Sequence, residues 1–422
     1  MTVTLTVHRA TTQIGGNCIE LRSGDERLIL DVGRPLDAPN DAKGLIPLTL
    51  DVSQPATILI SHPHQDHYGL LEEAPAQWPV RCGEPTRRLM SITANVTGRT
   101  IPQQIHPWNT GSAFNIGPFD ITPLLTDHSA FDAHMLLIES HGRRVLYSGD
   151  FRRHGRKSAL VERLMQSPPP KIDVLLMEGT NLGSDKPCVT EADLEDRFVD
   201  LFRRTSGRVF VAWSAQNVDR TVTLYRACLK TGRTLVVDLY TAEVMEMLAE
   251  FNRLPTPGWK QIKVVMTAGL RRRYSGADGD AFADRMAKLG MSAASLEGAE
   301  EPLVIMTRPS LIRDFAKKGV APTAEDAWCW SQWRGYLDNA DGAAVRSWFD
   351  GAGAKADHIH TSGHASSSDL REFATAINPK TMVPIHGVKW DEDRDGFPPI
   401  TRLRDGEPMT IGLNALRSRP LT

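Results

Sequence analysis

The stretch Ser61–Gly69, S-H-P-H-Q-D-H-Y-G, constrains this chain more than any other. It places four potential metal ligands, His62, His64, Asp66 and His67, within six residues. Before it runs Ala56-Thr57-Ile58-Leu59-Ile60, a short apolar run with β-branched residues that reads as a buried strand. After it, Tyr68-Gly69-Leu70-Leu71-Glu72-Glu73 reads as the start of a helix. The ligands therefore sit on the turn between a strand end and a helix, where a rigid scaffold can offer several side chains to one point. His62 and His64 are two apart and face the same way on an extended segment, whereas the adjacent Asp66 and His67 diverge. One pair for one ion and one pair for a second is the economical arrangement. Imidazole and carboxylate without thiolate suit zinc first, with manganese or iron as alternatives. A surface turn with satisfied histidines accounts for one such residue, but poorly for four ligands at this spacing.

Length and composition narrow the setting. A chain of 422 residues can bury a large core and is expected to hold two domains. The formal net charge of −2 gives no overall basic field, so a nucleic-acid partner would have to be met by local clusters. Cys18, Cys82, Cys188, Cys228 and Cys329 are scattered and form no C-x-x-C. That argues against a disulfide framework or a thiolate zinc site and fits a reducing, cytoplasmic setting. Met1–Thr6 alternates like a first strand rather than a signal peptide, and no apolar run is long enough to cross a bilayer, so no membrane partner is expected.

His62-Pro63-His64-Gln65-Asp66-His67 behind a strand resembles the signature of the metallo-β-lactamase superfamily. The resemblance implies an α/β fold, an αββα sandwich with a one- or two-metal site at one edge. Further segments follow the same pattern. Asp31, at a strand end before Gly33, is similar to the first superfamily motif, which implies that it orients a metal-bound histidine. His128 in Thr-Asp-His-Ser-Ala resembles the third motif. Asp150 in Ser-Gly-Asp resembles the fourth, an aspartate that bridges two metals. His106, His134, His141 and His154 fit no motif and read as surface or packing residues.

The segment Arg152-Arg153-His154-Gly155-Arg156-Lys157 is the densest basic cluster in the chain. A charge run is usually a solvated face. Its place directly after Asp150 also suits a polyanionic substrate such as a phosphodiester backbone, so Arg152, Arg153, Arg156 and Lys157 are candidate substrate contacts. Residues 186–355 alternate strand and helix patterns and lack the His/Asp signature. They read as a parallel-sheet α/β domain inserted between the two parts of the hydrolase domain, 1–185 and 356–422. Trp328, Trp330 and Trp333 within it read as packing residues rather than base-stacking platforms.

The closing segment sharpens the resemblance. Ser362-Gly363-His364, a helix, Asn378-Pro379-Lys380 and Val383-Pro384-Ile385-His386-Gly387 resemble the β-CASP branch, which includes ribonuclease J and the endonuclease of pre-mRNA 3′ ends. That branch carries an inserted α/β domain, and its three extra motifs map onto Glu178, His364 and His386. Members that act on RNA usually have histidine at the third motif, where DNA-specific members have valine. Ser214–Arg220 faintly resembles a ribonuclease J segment near the substrate's 5′ phosphate, with Gln216 in place of a serine. Asn217 and Ser362 are therefore further candidate substrate contacts. The resemblance implies two-zinc hydrolysis of single-stranded RNA, with manganese as the alternative metal and a homodimer as a conceivable assembly. His62, His64 and His128 would hold one ion, Asp66, His67 and His386 the other, with Asp150 bridging. His364, held by Glu178, would protonate the leaving oxygen. A small-molecule hydrolase of lactones, thioesters or β-lactams, a DNA nuclease and a non-catalytic RNA-binding subunit are the competing readings.

Overall fold

The chain, described over residues 2–39 and 41–412 in a computed structural model, divides into two compact units. Met1, Asn40 and residues 413–422, among them both ends of the expected hydrolase domain, lie outside the described residues. The first unit takes in residues up to 91, 100–187 and those from 363 onward; the second takes in 92–99 and 188–362.

Two sheets build the first unit. One runs in the order Pro408–Ile411, Val3–Arg9, Cys18–Ser23, Glu26–Leu30, Thr57–Leu59, Val80–Gly83, Ile105–Trp108. The other runs Thr381–Pro384, Val174–Met177, Arg143–Tyr147, His134–Ser140, Phe119–Leu125, Phe114–Ile116. Along Val3–Arg9, the alternate residues Val3, Leu5 and Val7 are buried, the period-two pattern of a strand with one face inward. They pack with Leu21 and Leu30 against Leu136, Ile138, Val145 and Leu176 of the facing sheet. Each such side chain contributes about 1.5–3 kcal/mol on leaving water. The outer face of the first sheet is covered by Leu70, Leu71, Trp78 and Met90. Leu370, Phe373, Ala374 and Ile377 of the helix Ser367–Ile377 cover the second. The layers are those of an αββα sandwich.

Strand direction explains why the polar motifs meet. Arg143–Tyr147, Val174–Met177 and Thr381–Pro384 are parallel neighbours, so their carboxyl ends emerge at one edge. Asp150, Glu178 and His386 follow those ends. Phe119–Leu125 is antiparallel to His134–Ser140, which is antiparallel to Arg143–Tyr147, so His128 is released at the same edge. In the other sheet the parallel strands Glu26–Leu30 and Thr57–Leu59 end at Asp31 and at the histidine turn. The helix after that turn starts earlier than its apolar pattern suggests. It spans Gln65–Tyr68, so Asp66 and His67 lie within it.

The second unit is built on one parallel sheet, in the order Gly290–Ser292, Ile262–Met266, Thr234–Asp238, Leu303–Met306, Val209–Ala212, Ala327–Trp330, Lys355–His358. Ala327–Trp330 carries Trp328 and Trp330, and its A-W-C-W run lacks the β-branched residues that mark a strand in sequence. Lys355–His358 pairs with it and belongs to this sheet, so the first unit resumes at Gly363 rather than at the 356 read from the sequence. Helices Glu191–Arg204 and Val218–Thr231 are tied together by a fully buried ion pair. Arg220 Nη2 lies 3.1 Å from Glu191 Oε1, Thr223 donates to Glu191 Oε2 at 2.8 Å, and Arg220 Nη1 donates to the Ser331 carbonyl at 3.1 Å.

Removing one partner of such a pair strands a buried charge. Arg220→Met is expected to lower the unfolding free energy by about 3–5 kcal/mol, and Arg220→Met with Glu191→Gln to recover part of that loss. Denaturant unfolding of the two variants measures both steps.

Candidate metal centre

The centre is assembled from strand ends and one short helix. Gly33 makes the first approach feasible: a Cβ there would lie 1.7 Å from the Asp66 carbonyl oxygen. With that space, the Val32 and Arg34 amides donate to the His67 and Gln65 carbonyls at 2.8 and 2.9 Å, and the Asn17 amide donates to that of Asp66 at 3.1 Å. The helix is thereby pinned by its carbonyls.

Asp31 then fixes the side chains. Its backbone is in the left-handed region, φ 59°, and its carboxylate is fully buried. Oδ1 accepts from the Ser61 amide at 2.7 Å. Oδ2 accepts from Ser61 Oγ at 2.7 Å, His67 Nδ1 at 2.7 Å and the Tyr147 hydroxyl at 2.5 Å. Asn17 Nδ2 in turn donates to the Tyr147 oxygen at 3.1 Å. With Nδ1 donating to Asp31, His67 presents Nε2 inward, 3.1 Å from Asp150 Oδ2. The sequence reading gave Asp31 this orienting role but missed Asn17, Ser61 and Tyr147. Local pattern does not reveal these roles, because the partner, Asp31, comes from another strand end.

The remaining residues close around two points. His64 Nδ1 lies 3.2 Å from His62 Nε2 and 3.1 Å from His128 Nε2. Two nitrogens bound to one zinc at about 2.0–2.1 Å fall close to this separation. His128 is oriented by Nδ1 donating to the Gly363 carbonyl at 2.5 Å. At the second point Asp66 Oδ2 is 3.3 Å from His386 Nε2 and 3.9 Å from His67 Nε2. Asp150 Oδ2 is 3.1 Å from His67 Nε2 and 3.7 Å from His62 Nε2, so one carboxylate reaches both groups. Its other oxygen, Oδ1, is buried without a hydrogen-bond partner. His62, His64 and His128 form one set able to hold a metal ion, and Asp66, His67, Asp150 and His386 form a second. The donors are nitrogen and oxygen alone, which suits zinc or manganese.

Glu178 and His364 stand beside the second set. His364 Nδ1 is 3.0 and 3.2 Å from the two Glu178 oxygens and 3.7 Å from Asp150 Oδ2. Glu178 is buried and also accepts from the Phe151 and Thr180 amides at 3.1 and 3.2 Å. His386 is held by Nδ1 against Thr180 Oγ1 at 2.8 Å, a partner the sequence did not reveal.

The protein's own charges divide the imidazoles. Burial, reinforced by their neighbours, keeps His62 and His128 well below the ordinary histidine range and brings His64 down to about 4. This trio is neutral and offers lone pairs. Burial also opposes charge on His67, but Asp150, Asp31 and Asp66 raise it well above that range. Burial acts on His364 in the same sense, and Glu178 and Asp150 outweigh it, raising the residue to about 9. Burial opposes ionisation of Asp66, yet His67 and His386 bring its carboxyl down to about 2.

The basic cluster has a different use from the one its position suggested. Arg152 is fully buried, with Nε 3.3 Å from Asp127 Oδ1, and Gly155 leaves room for the pair. Arg153 is bound by Glu162, Asp369 and Glu372 at 2.8, 3.1 and 2.5 Å. Lys157 Nζ donates to the Ala130 and Phe131 carbonyls at 3.2 and 2.7 Å. These cations brace the loops that carry His128 and His364 instead of lining a surface for polyanions; Arg156 is exposed. Asn217 is likewise taken up locally, as the N-cap whose side chain accepts from the Arg220 amide. Ser362, the last residue of the second unit, is half-buried.

Comparison with known proteins gives the class. Residues 11–171 match the metallo-β-lactamase superfamily, and residues 353–390 match the Zn-dependent metallo-hydrolase RNA specificity domain. The chain thus carries a metallo-β-lactamase domain followed by a segment of the RNA specificity type. The second α/β unit and the closing motifs are consistent with the β-CASP, ribonuclease J-like branch. The chain is 22% identical over 393 residues to a ribonuclease J of Helicobacter pylori strain B128, covering 89% of this chain and 54% of that protein. It is 22% identical over 391 residues to a ribonuclease J of Sinorhizobium meliloti, covering 84% of this chain and 63% of the relative. The chain thus spans about half to two thirds of the length of these relatives. A protein of unknown function from Enterococcus faecalis V583 has the same fold, with a TM-score of 0.80 at 18% identity over 97% of this chain and 100% of that one. No described helix is long and apolar enough to cross a membrane.

Tyr147→Phe removes one donor from Asp31 and the acceptor of Asn17. The expected cost is about 1–2 kcal/mol of unfolding free energy, read from a urea midpoint shifted at constant slope. An unchanged midpoint would take Tyr147 out of the support of the centre.

Proposed function

We propose that the chain is a two-zinc phosphodiester hydrolase acting on single-stranded RNA, with manganese able to replace zinc. The convergence of His62, His64, Asp66, His67, His128, Asp150 and His386 at one sheet edge carries the hydrolase part of this reading. The match of residues 353–390 to an RNA specificity domain, histidine at position 386 and the ribonuclease J relatives support RNA as the substrate. In this assignment His62, His64 and His128 would hold one ion and Asp66, His67, Asp150 and His386 would hold the other. Ions held by these residues would supply a water of lowered pKa and would offset charge on the non-bridging phosphate oxygens.

The chain's own residues supply the rest. Asp31 holds the proton on His67 Nδ1, which keeps Nε2 facing inward. Glu178 holds His364 through Nδ1 and leaves its Nε2 to face substrate; the His364 side chain is partly open to solvent. Against burial, Glu178 and Asp150 raise His364 to about 9 in the metal-free protein, which favours its holding the proton that Nε2 would deliver to the departing 3′ oxygen. The interior burial of His62, His67, His128 and His386 excludes bulk water from the rear of the site.

Incubation with 5′- and 3′-labelled single-stranded RNA and with DNA of the same sequence tests the reading. RNA is expected to be cut and DNA to be spared; equal cleavage of both would refute the RNA assignment. His64→Ala is expected to lose bound metal, measured by elemental analysis, and to fall to background hydrolysis. His364→Ala is expected to keep its metal content while turnover slows by about 10²–10⁴-fold. Loss of metal in that variant would make His364 a ligand rather than the acid.

A further inference from the structure

The clustered tryptophans Trp328, Trp330 and Trp333 of the second unit have different fates. Trp328 and Trp330 lie on the strand Ala327–Trp330 and are 4% and 5% exposed. Trp333, three residues on, is 61% exposed, and Tyr336 beside it is 44% exposed. A large aromatic left in water within a well-packed stretch needs a reason, the more so because it is held in place. Trp330 Nε1 donates to the Trp333 carbonyl at 3.1 Å. His358 Nε2 lies 3.2 Å from the Gln332 carbonyl. The indole rests against Gly335, where a Cβ would come within 2.2 Å of its Cη2. Tyr336 meets it edge to face, ring centroids 5.3 Å apart. The exposed indole is thus backed on one side and fixed at its backbone.

The surroundings indicate what the platform takes. Between the two aromatics stands Arg334, exposed and paired with no carboxylate among the described residues. Arg334 also lines a cavity of about 580 Å³, together with Trp330, Arg346 and His358. Asp338, Asp350 and Asp357 line it too, with Asp357 paired to Arg204 and Asp338 3.9 Å from Arg346. Asp357 has Arg204 as its partner, whereas Arg334, with no carboxylate partner among the described residues, is open to a phosphate. The carboxylates suit the amino edges of bases. The neighbouring edge strand Lys355–His358 is short and begins with an exposed lysine, two devices that discourage strand addition by a protein partner. The match to an RNA specificity domain begins at residue 353 and includes this strand.

We propose that Trp333, Tyr336 and Arg334 form a second contact for single-stranded RNA, in which a base stacks on the aromatic pair and Arg334 binds the adjoining phosphate. This deepens the RNA reading above and rests on it. Stacking on an aromatic face is sequence-tolerant, so the contact would supply affinity rather than sequence choice.

The test uses the full-length protein loaded with zinc and a fluorescent, cleavage-resistant 2′-O-methyl phosphorothioate RNA, with binding read by anisotropy. Trp333→Ala is expected to weaken binding roughly five- to a hundred-fold, and Trp333→Phe to retain most of it. Hydrolysis of bis(p-nitrophenyl) phosphate, too small to span a second site, is expected to be unchanged in both, which also reports that they fold. Equal RNA affinity in Trp333→Ala and the parent would overturn the platform. A drop in affinity accompanied by a change in sedimentation would overturn it as well, making this face a contact between copies of the chain. A parent protein that hydrolyses the small diester but binds no RNA would instead refute the RNA reading itself.

Discussion

The centre depends on one buried carboxylate. Asp31 sits at the end of a strand in one sheet, and its oxygens take donors from the histidine turn through Ser61 and His67 and from the facing sheet through Tyr147. An ionised carboxylate without water is costly unless it is fully hydrogen-bonded, and donors to a charged acceptor are among the stronger ones. Asp31 is held by four donors, so its burial becomes a source of order. It selects the His67 tautomer, and through His67 the position of Asp150. The left-handed backbone that presents it is tolerable because the turn is fixed on both sides, by the Leu59 carbonyl accepting from its amide and by the space at Gly33.

Much of this was readable in the sequence, for a physical reason. Ligands that follow strand ends leave a local signal: an apolar β-branched run, then polar residues at fixed spacing. His62, His64, Asp66, His67, Asp150 and His386 all have that form. The support behind them leaves none. Nothing in the local pattern around Tyr147, Asn17 or Thr180 singles those residues out. Their partners are set by which strands become neighbours, and periodicity does not report that.

The basic cluster shows the opposite limit. Position beside the metal motifs suggested substrate contacts, but in a buried loop an arginine is first a partner for whatever carboxylate the fold places nearby. Arg152 with Asp127 and Arg153 with Asp369 spend their charge on bracing loops. In the second unit, A-W-C-W concealed a strand because tryptophan signals packing and edge alike. Only coordinates separate the buried Trp328 and Trp330 from the exposed Trp333.

Sheet pairing gives the chain's order of synthesis a consequence. The strand Val3–Arg9 is bordered on one side by Pro408–Ile411, and the His386 amide donates to the Ala10 carbonyl. His364 and His386 are therefore the last members of the constellation to leave the ribosome, after the whole inserted unit. A nascent or prematurely terminated chain carries the histidine turn and Asp150 yet lacks these two imidazoles. The constellation is therefore complete only once synthesis has passed His386.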